Sequence, residues 1–249
     1  MTEDALLRRV HGLWVGLAVV TGAFPAGGDV VIVHSARSRL CPPGWAGIVR
    51  LADGALVTGP DEPRTGLLRR ALAGMPVDDL VRADAVAARL PVVDVLGPAV
   101  LAYLPADRFR PVAAQVTTLP TGHDDIRALM AAAGPDDSAE SGLADVDSPV
   151  FVLRDGPDVV AAAGYERWPE STAHVCVLTA PDHRGRELAR RTASAAVGHA
   201  LDSGLLPQWR ARLVGEASRK VARALGFTEL GAQLSVRLDA VDRAASGQR

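Results

Sequence analysis

The residues of this chain best suited to chemistry are Arg184, Gly185 and Arg186, set in the stretch Thr179-Ala180-Pro181-Asp182-His183-Arg184-Gly185-Arg186-Glu187-Leu188-Ala189. An apolar, strand-like run at 173–178 leads into them, and a helix-like segment at 187–201 follows. A strand, a glycine-containing turn and a helix start together make an anion site. The first helical turn has free backbone N–H groups, and its dipole favours negative charge. The two arginines add forked donors that match phosphate oxygens. The chemistry predicted is the binding of a phosphate-bearing ligand on this turn.

The wording of the turn narrows the ligand. Arg184-Gly185-Arg186-Glu187-Leu188-Ala189 resembles the pyrophosphate-loop motif of the GNAT superfamily, the acyl-CoA-dependent N-acetyltransferases. That motif runs Arg or Gln, two residues, Gly, any residue, then Gly or Ala. Arg184 and Ala189 match its ends, and Glu187 stands in place of the central Gly. A second stretch, Ser218-Arg219-Lys220-Val221-Ala222-Arg223-Ala224-Leu225-Gly226-Phe227, resembles the last helix of the superfamily and its Leu-Gly-Phe ending. Val221 and Leu225 share a helix face, and Gly226 suits the left-handed position that ends a helix. Gly215 stands where many members carry Asn, and Ala222 where many carry a Tyr general acid. The resemblance covers about residues 116–238.

The resemblance implies an α/β (α+β) domain, a mixed twisted sheet flanked by helices, with acetyl-CoA as co-substrate. The acyl-CoA would lie in a splay between the strands at 173–179 and 209–214. Backbone groups of Val177, Leu178 and Thr179 would pair with its pantetheine amides. Backbone amides of Gly185, Arg186, Glu187, Leu188 and Ala189 would hold the pyrophosphate, with charge from Arg184 and Arg186. The acceptor, a small amine or a protein N-terminus or lysine, would attack the thioester directly. That reaction needs a deprotonated amine, and an acid or solvent to protonate the leaving thiolate. His174, on the strand facing the splay, is a candidate base, since its ordinary pKa is ~6.5. Glu166, at the end of the neighbouring strand, is a second; either also fits an ordinary surface or core-edge residue. His183 reads as a CoA neighbour or a solvated loop residue. Tyr165 and Trp168 read as pocket-lining or packing aromatics, and Ser218 as a helix-start residue. The departures at Glu187, Gly215 and Ala222 leave a noncatalytic acyl-CoA-binding regulatory module as the alternative. A structural protein whose turn binds nothing is a further one.

The whole chain must position this turn. Its 249 residues suit two domains, and 48% hydrophobic with 22% charged residues is ordinary for a globular protein. A formal charge of −2 argues against a nucleic-acid binder. Cys41 and Cys176 are the only cysteines, too few for a disulfide framework, and the six histidines show no metal-ligand spacing. Leu6, Val10, Leu13, Trp14 and Leu17 fit an amphipathic first helix, and no apolar run nears the ~20 residues of a membrane span. A cytoplasmic location is the expectation.

Residues 1–112 read as a smaller mixed α/β domain, residues 113–240 as the GNAT-like domain, and 241–249 as a polar tail. In the first, 30–34 reads as a strand, 46–58 as a hairpin around Asp53-Gly54, 65–73 and 77–90 as helices, and 91–104 as two strand pieces broken at Gly97-Pro98. Its hairpin echoes the one at 150–165, so a degenerate second copy of the GNAT-like unit is one reading of this half. In the second, 126–133 reads as a helix and 134–148 as a polar, turn-rich segment.

Overall fold

A computed structural model describes residues 1–239. The tail expected at 241–249 lies outside the described residues. The chain forms two compact units, each drawn from two segments: Asp4–Val100 with the stretch from Leu230, and Leu101–Glu229 with Met1–Glu3. The sequence divides at 112/113; the units divide inside two strands.

The first unit opens with α1 (Glu3–Ala18), which buries Leu6, Val10, Leu13, Trp14 and Leu17 at the helical spacing that the sequence predicts. β1 (Val30–His34), β2 (Ala46–Leu51) and β3 (Gly54–Gly59) follow. β2 and β3 form a hairpin, and β1 runs parallel to β3. α2 (Glu62–Ala71) comes next. The helix expected at 77–90 is instead a 3₁₀ turn, Val77–Val81, and the short α3 (Ala83–Ala87), separated by Arg82 in an extended conformation. β4 (Val92–Tyr103) runs unbroken through a cis Gly97–Pro98 bond. The core of this unit joins Ile48, Val57, Leu68, Leu80 and Leu234.

The second unit carries β5 (Thr117–Leu119), α4 (Asp124–Ala133), α5 (Pro135–Ser141), β6 (Val150–Asp155), β7 (Asp158–Trp168), β8 (Thr172–Thr179), α6 (Leu188–Asp202), β9 (Leu206–Arg212) and α7 (Glu216–Leu225). β10 (Thr228–Leu238) begins in it and pairs antiparallel with β2 of the first unit's own sheet from Gly231 to Val236. The order β9-β8-β7-β6-β5 is antiparallel except for the parallel pair β8–β9, so the sheet is mixed.

Side chains alternate faces along a strand, and β8 sorts its neighbours accordingly. Val175 and Val177 pack with α6 and α7, while Cys176 and Leu178 pack with Ile126 and Leu129 of α4. α6 meets the sheet through Ala193, Ala196 and Ala200, whose short side chains permit close approach. Gly226 ends α7 at φ 102; a Cβ there would lie 2.1 Å from the Arg108 carbonyl.

Candidate functional site

β8 and β9 stay in register only at Thr172↔Leu206, Ala173↔Pro207 and His174↔Gln208. Beyond that point β8 keeps its other partner, with β7 still paired at Ala161↔Thr179. The two strands therefore fork after His174 and Gln208, and a cavity of about 640 Å³ opens in the fork. Val175, Val177, Leu178 and Thr179 of β8 line one side and Trp209, Arg210 and Ala211 of β9 the other. Val221 of α7, the turn at 183–190, and Asp137, Glu140 and Ser141 of α5 complete it. Trp209 is fixed from behind: its Nε1 donates to Ser218 Oγ at 3.0 Å, and its ring meets Phe227 edge-on.

The turn has the geometry of an anion site. Gly185 sits at φ 76, and a Cβ on it would meet nothing within 4 Å. Glu187 is the N-cap of α6 in the left-handed conformation, φ 59, and makes no side-chain cap. The helix, expected from 187, starts one residue later. Its first internal bond from this end is Arg191 N–H to the Glu187 carbonyl, 3.1 Å. Among the described residues, the amides of residues 185–190 donate to nothing. Polar atoms that are buried without partners cluster here too: Thr179 Oγ1, His183 Nδ1 and Arg190 Nε. Such groups are costly to leave unsatisfied, so their convergence on one cavity fits a polar, anionic ligand.

Carboxylates already engage the cations. Arg184 Nη2 pairs with Asp137 Oδ2 at 2.5 Å, and Arg190 Nη1 with Glu187 Oε2 at 3.3 Å. The Glu187 carboxylate thus lies back along α6. Both are exposed pairs of the kind worth ~0–1 kcal/mol.

Val177, Leu178, Thr179, Arg184, Gly185, Glu187, Leu188 and Ala189 all line the cavity. Arg186 does not; it is exposed. Neither candidate base lines it. His174 is buried at the fork with Nδ1 2.5 Å from Gln208 Oε1 and its ring stacked on Trp168 at 4.3 Å. Burial, helped by the Arg210 charge and opposed by the Gln208 hydrogen bond, pushes His174 down to about 3. Glu166, half-buried, accepts from Trp168 Nε1 at 2.8 Å. Tyr165 is fully buried, its hydroxyl 3.0 Å from His199 Nδ1, and so packs. His183 holds Asp155 through Nε2 at 3.1 Å. Cys176 is buried in the core, which pushes its thiol up to about 12. Sequence reasoning missed Asp137, Glu140, Arg210 and Lys220, all of which line the cavity.

Comparison with known proteins finds a match between residues 150–232 and the family model for GNAT acetyltransferase. The match spans the hairpin β6–β7, the fork and the open turn. Among solved structures, the chain is similar to a protein named as a GNAT-family acetyltransferase from Novosphingobium aromaticivorans: 18% identity, TM-score 0.46, covering 58% of this chain and 65% of that one. The chain thus spans under two thirds of that protein's length. It is also similar to a GCN5-related N-acetyltransferase-like protein from Streptococcus suis, at 18% identity and TM-score 0.47, over 78% of this chain and 84% of that one. A third, named an acetyltransferase, comes from Salmonella typhimurium and was solved with its cofactor acetyl-CoA; it is 21% identical at TM-score 0.32, over 41% of this chain and 69% of that one. No curated protein is similar enough in sequence to match the chain.

Proposed function

We propose that this chain, whose residues 150–232 match the GNAT acetyltransferase family, binds acetyl-CoA and transfers its acetyl group to an amine. The observation that carries this reading is the fork after His174↔Gln208 with the row of unpaired amides at 185–190 beside it. The fork's strand edges suit pantetheine amides, Val177, Leu178 and Thr179 among them. The amides of Gly185 to Arg190 suit a pyrophosphate, with Arg184 and Arg190 supplying charge. Orphaned Thr179 Oγ1, His183 Nδ1 and Arg190 Nε agree with such a ligand.

In the transfer, the amine nitrogen attacks the thioester carbonyl carbon and the carbon–sulfur bond breaks. The nitrogen loses a proton and the thiolate gains one. A His174 held neutral, with Nδ1 engaged by Gln208, orients the fork rather than accepting a proton. Glu166 is our proton acceptor, directly or through water. Ala222 is buried and offers no hydroxyl, so solvent protonates the thiolate. The acceptor is a small amine, a protein N-terminus or a lysine, in the cytoplasm. The GNAT-like domain is assigned to 113–240, and residues 1–112 to a domain without assigned role, its hairpin compatible with a decayed copy of the same unit.

The departures at Ala222 and Gly215 favour a second reading, a noncatalytic acyl-CoA sensor. Titration with acetyl-CoA followed by thiol release over an amine panel separates the two. Binding with turnover supports transfer; binding without turnover on any amine supports the sensor; no binding removes both.

A further inference from the structure

We propose that Arg210 receives a substrate carboxylate at the fork, so that the group joined there, on the acyl or the amine side, is acidic. This rests on the acyl-CoA reading above. Trp209 and Ala211 pack with α6 and α7, so alternation along β9 turns Arg210 and Gln208 to the opposite face, that of Cys176 and Leu178. On this face Glu166 pairs with His174, and His174 with Gln208, in the strand register. Arg210 is the next residue of that face beyond the last paired position, and it lines the cavity.

Its guanidinium has five donors. Among the described residues no carboxylate lies within ion-pair distance of it and no hydrogen bond satisfies it. Its close partner is the Trp168 ring, 5.9 Å away. Its surface is open, yet protein surrounds its charge closely enough to draw its pKa down. Both are true because its open side is the cavity. The other arginines of the cavity, Arg184 and Arg190, each hold a carboxylate. The charged and titratable groups facing Arg210 are Glu166, His174 and Cys176. Glu166 acts at longer range and is already engaged by Trp168, while His174 and Cys176 are neutral at pH 7. An arginine that lines a cavity without an ion pair leaves its donors to a ligand, and a carboxylate matches its fork in two parallel bonds. Gln208 Nε2, buried one step deeper on the same face, is a further donor without a partner.

The test measures affinity, so it needs no known turnover. The acyl arm titrates wild type with succinyl-CoA and chain-matched butyryl-CoA. The amine arm titrates CoA-loaded protein with L-lysine against cadaverine and L-phenylalanine against phenethylamine. A preference of about tenfold or more for the carboxylate-bearing probe is expected on one arm, which identifies the source. Arg210→Gln should abolish it, while Arg210→Lys should keep a part of it. No preference on either arm in wild type overturns the proposal, as does an undiminished preference in a folded Arg210→Gln. The wild-type titrations decide the matter if the variant does not fold. Failure of wild type to bind acetyl-CoA would instead sink the acyl-CoA reading.

Discussion

Two of the protein's passages from strand to helix, from β3 into α2 and from β8 into α6, treat the helix N-terminus in opposite ways. At α2 the end is sealed by its own side chains. Asp61 Oδ1 accepts from Arg64 N at 2.8 Å, and Thr65 Oγ1 donates to the Asp61 carbonyl at 2.6 Å. Pro63 lies in the first turn and brings no N–H. Gly59 is packed so tightly that a Cβ would lie 2.2 Å from Thr65 Oγ1. At α6 no side chain caps the helix, and Gly185 faces open space. The α2 end satisfies donors with its own side chains, whereas the α6 end leaves its amides free beside a cavity.

Four measurements would break or sharpen that contrast. The largest effect concerns acid. The depressed pKa of His174 means that the unfolded state binds the extra proton below its ordinary value of 6.5. Stability is therefore full above pH 6.5 and is lost as pH falls towards 3, by up to about 1.4 kcal/mol per pH unit. His174→Gln should flatten that slope in denaturant unfolding followed against pH; an unchanged slope would place the proton elsewhere. Next, Arg184→Ala should weaken acetyl-CoA by about 1.5–3 kcal/mol, or roughly 10–150-fold, with little change in melting temperature. Arg186→Ala, outside the cavity, should stay within about twofold of wild type by calorimetry. Third, Asp61→Ala should do the reverse, costing about 0.5–2 kcal/mol of stability while acetyl-CoA affinity holds. A loss of affinity there would end the distinction between sealed and open turns. The smallest effect belongs to Glu187→Gly. Relief of the left-handed conformation should raise the melting temperature slightly, and affinity should move less than about threefold because the carboxylate lies on Arg190.

The open turn was legible because three signals coincide there: a strand period, a Gly-Arg turn and a helical period. The fork itself was expected only through family resemblance, since nothing in residues 173–179 or 209–214 says where pairing stops. Arg210 escaped notice for a related reason. β9 begins at Leu206, not Trp209, so the shared face of Gln208 and Arg210 could not be read. α5 was hidden because its seven residues lack an apolar stripe, though Pro135, Asp136 and Asp137 are good first-turn residues. The break at Arg82 and the continuity of β4 through Gly97-Pro98 are tertiary choices that override local propensity. The division of the units inside β4 and β10 left no compositional mark, so the sequence placed its boundary in the proline-flanked segment after Arg108.

The fork has a consequence for solubility. A β-strand whose amides and carbonyls lack partners is a template for another chain, and proteins ordinarily blunt such edges with charge, proline or a bulge. Here the raw edge is inside the sheet, on β8 between β7 and β9, with Trp209 among the residues lining the cavity beside it. Local opening of β9 would widen that slot and expose Val175 and Val177 as a sticky seam. A ligand seated in the fork would then guard the molecule against self-association.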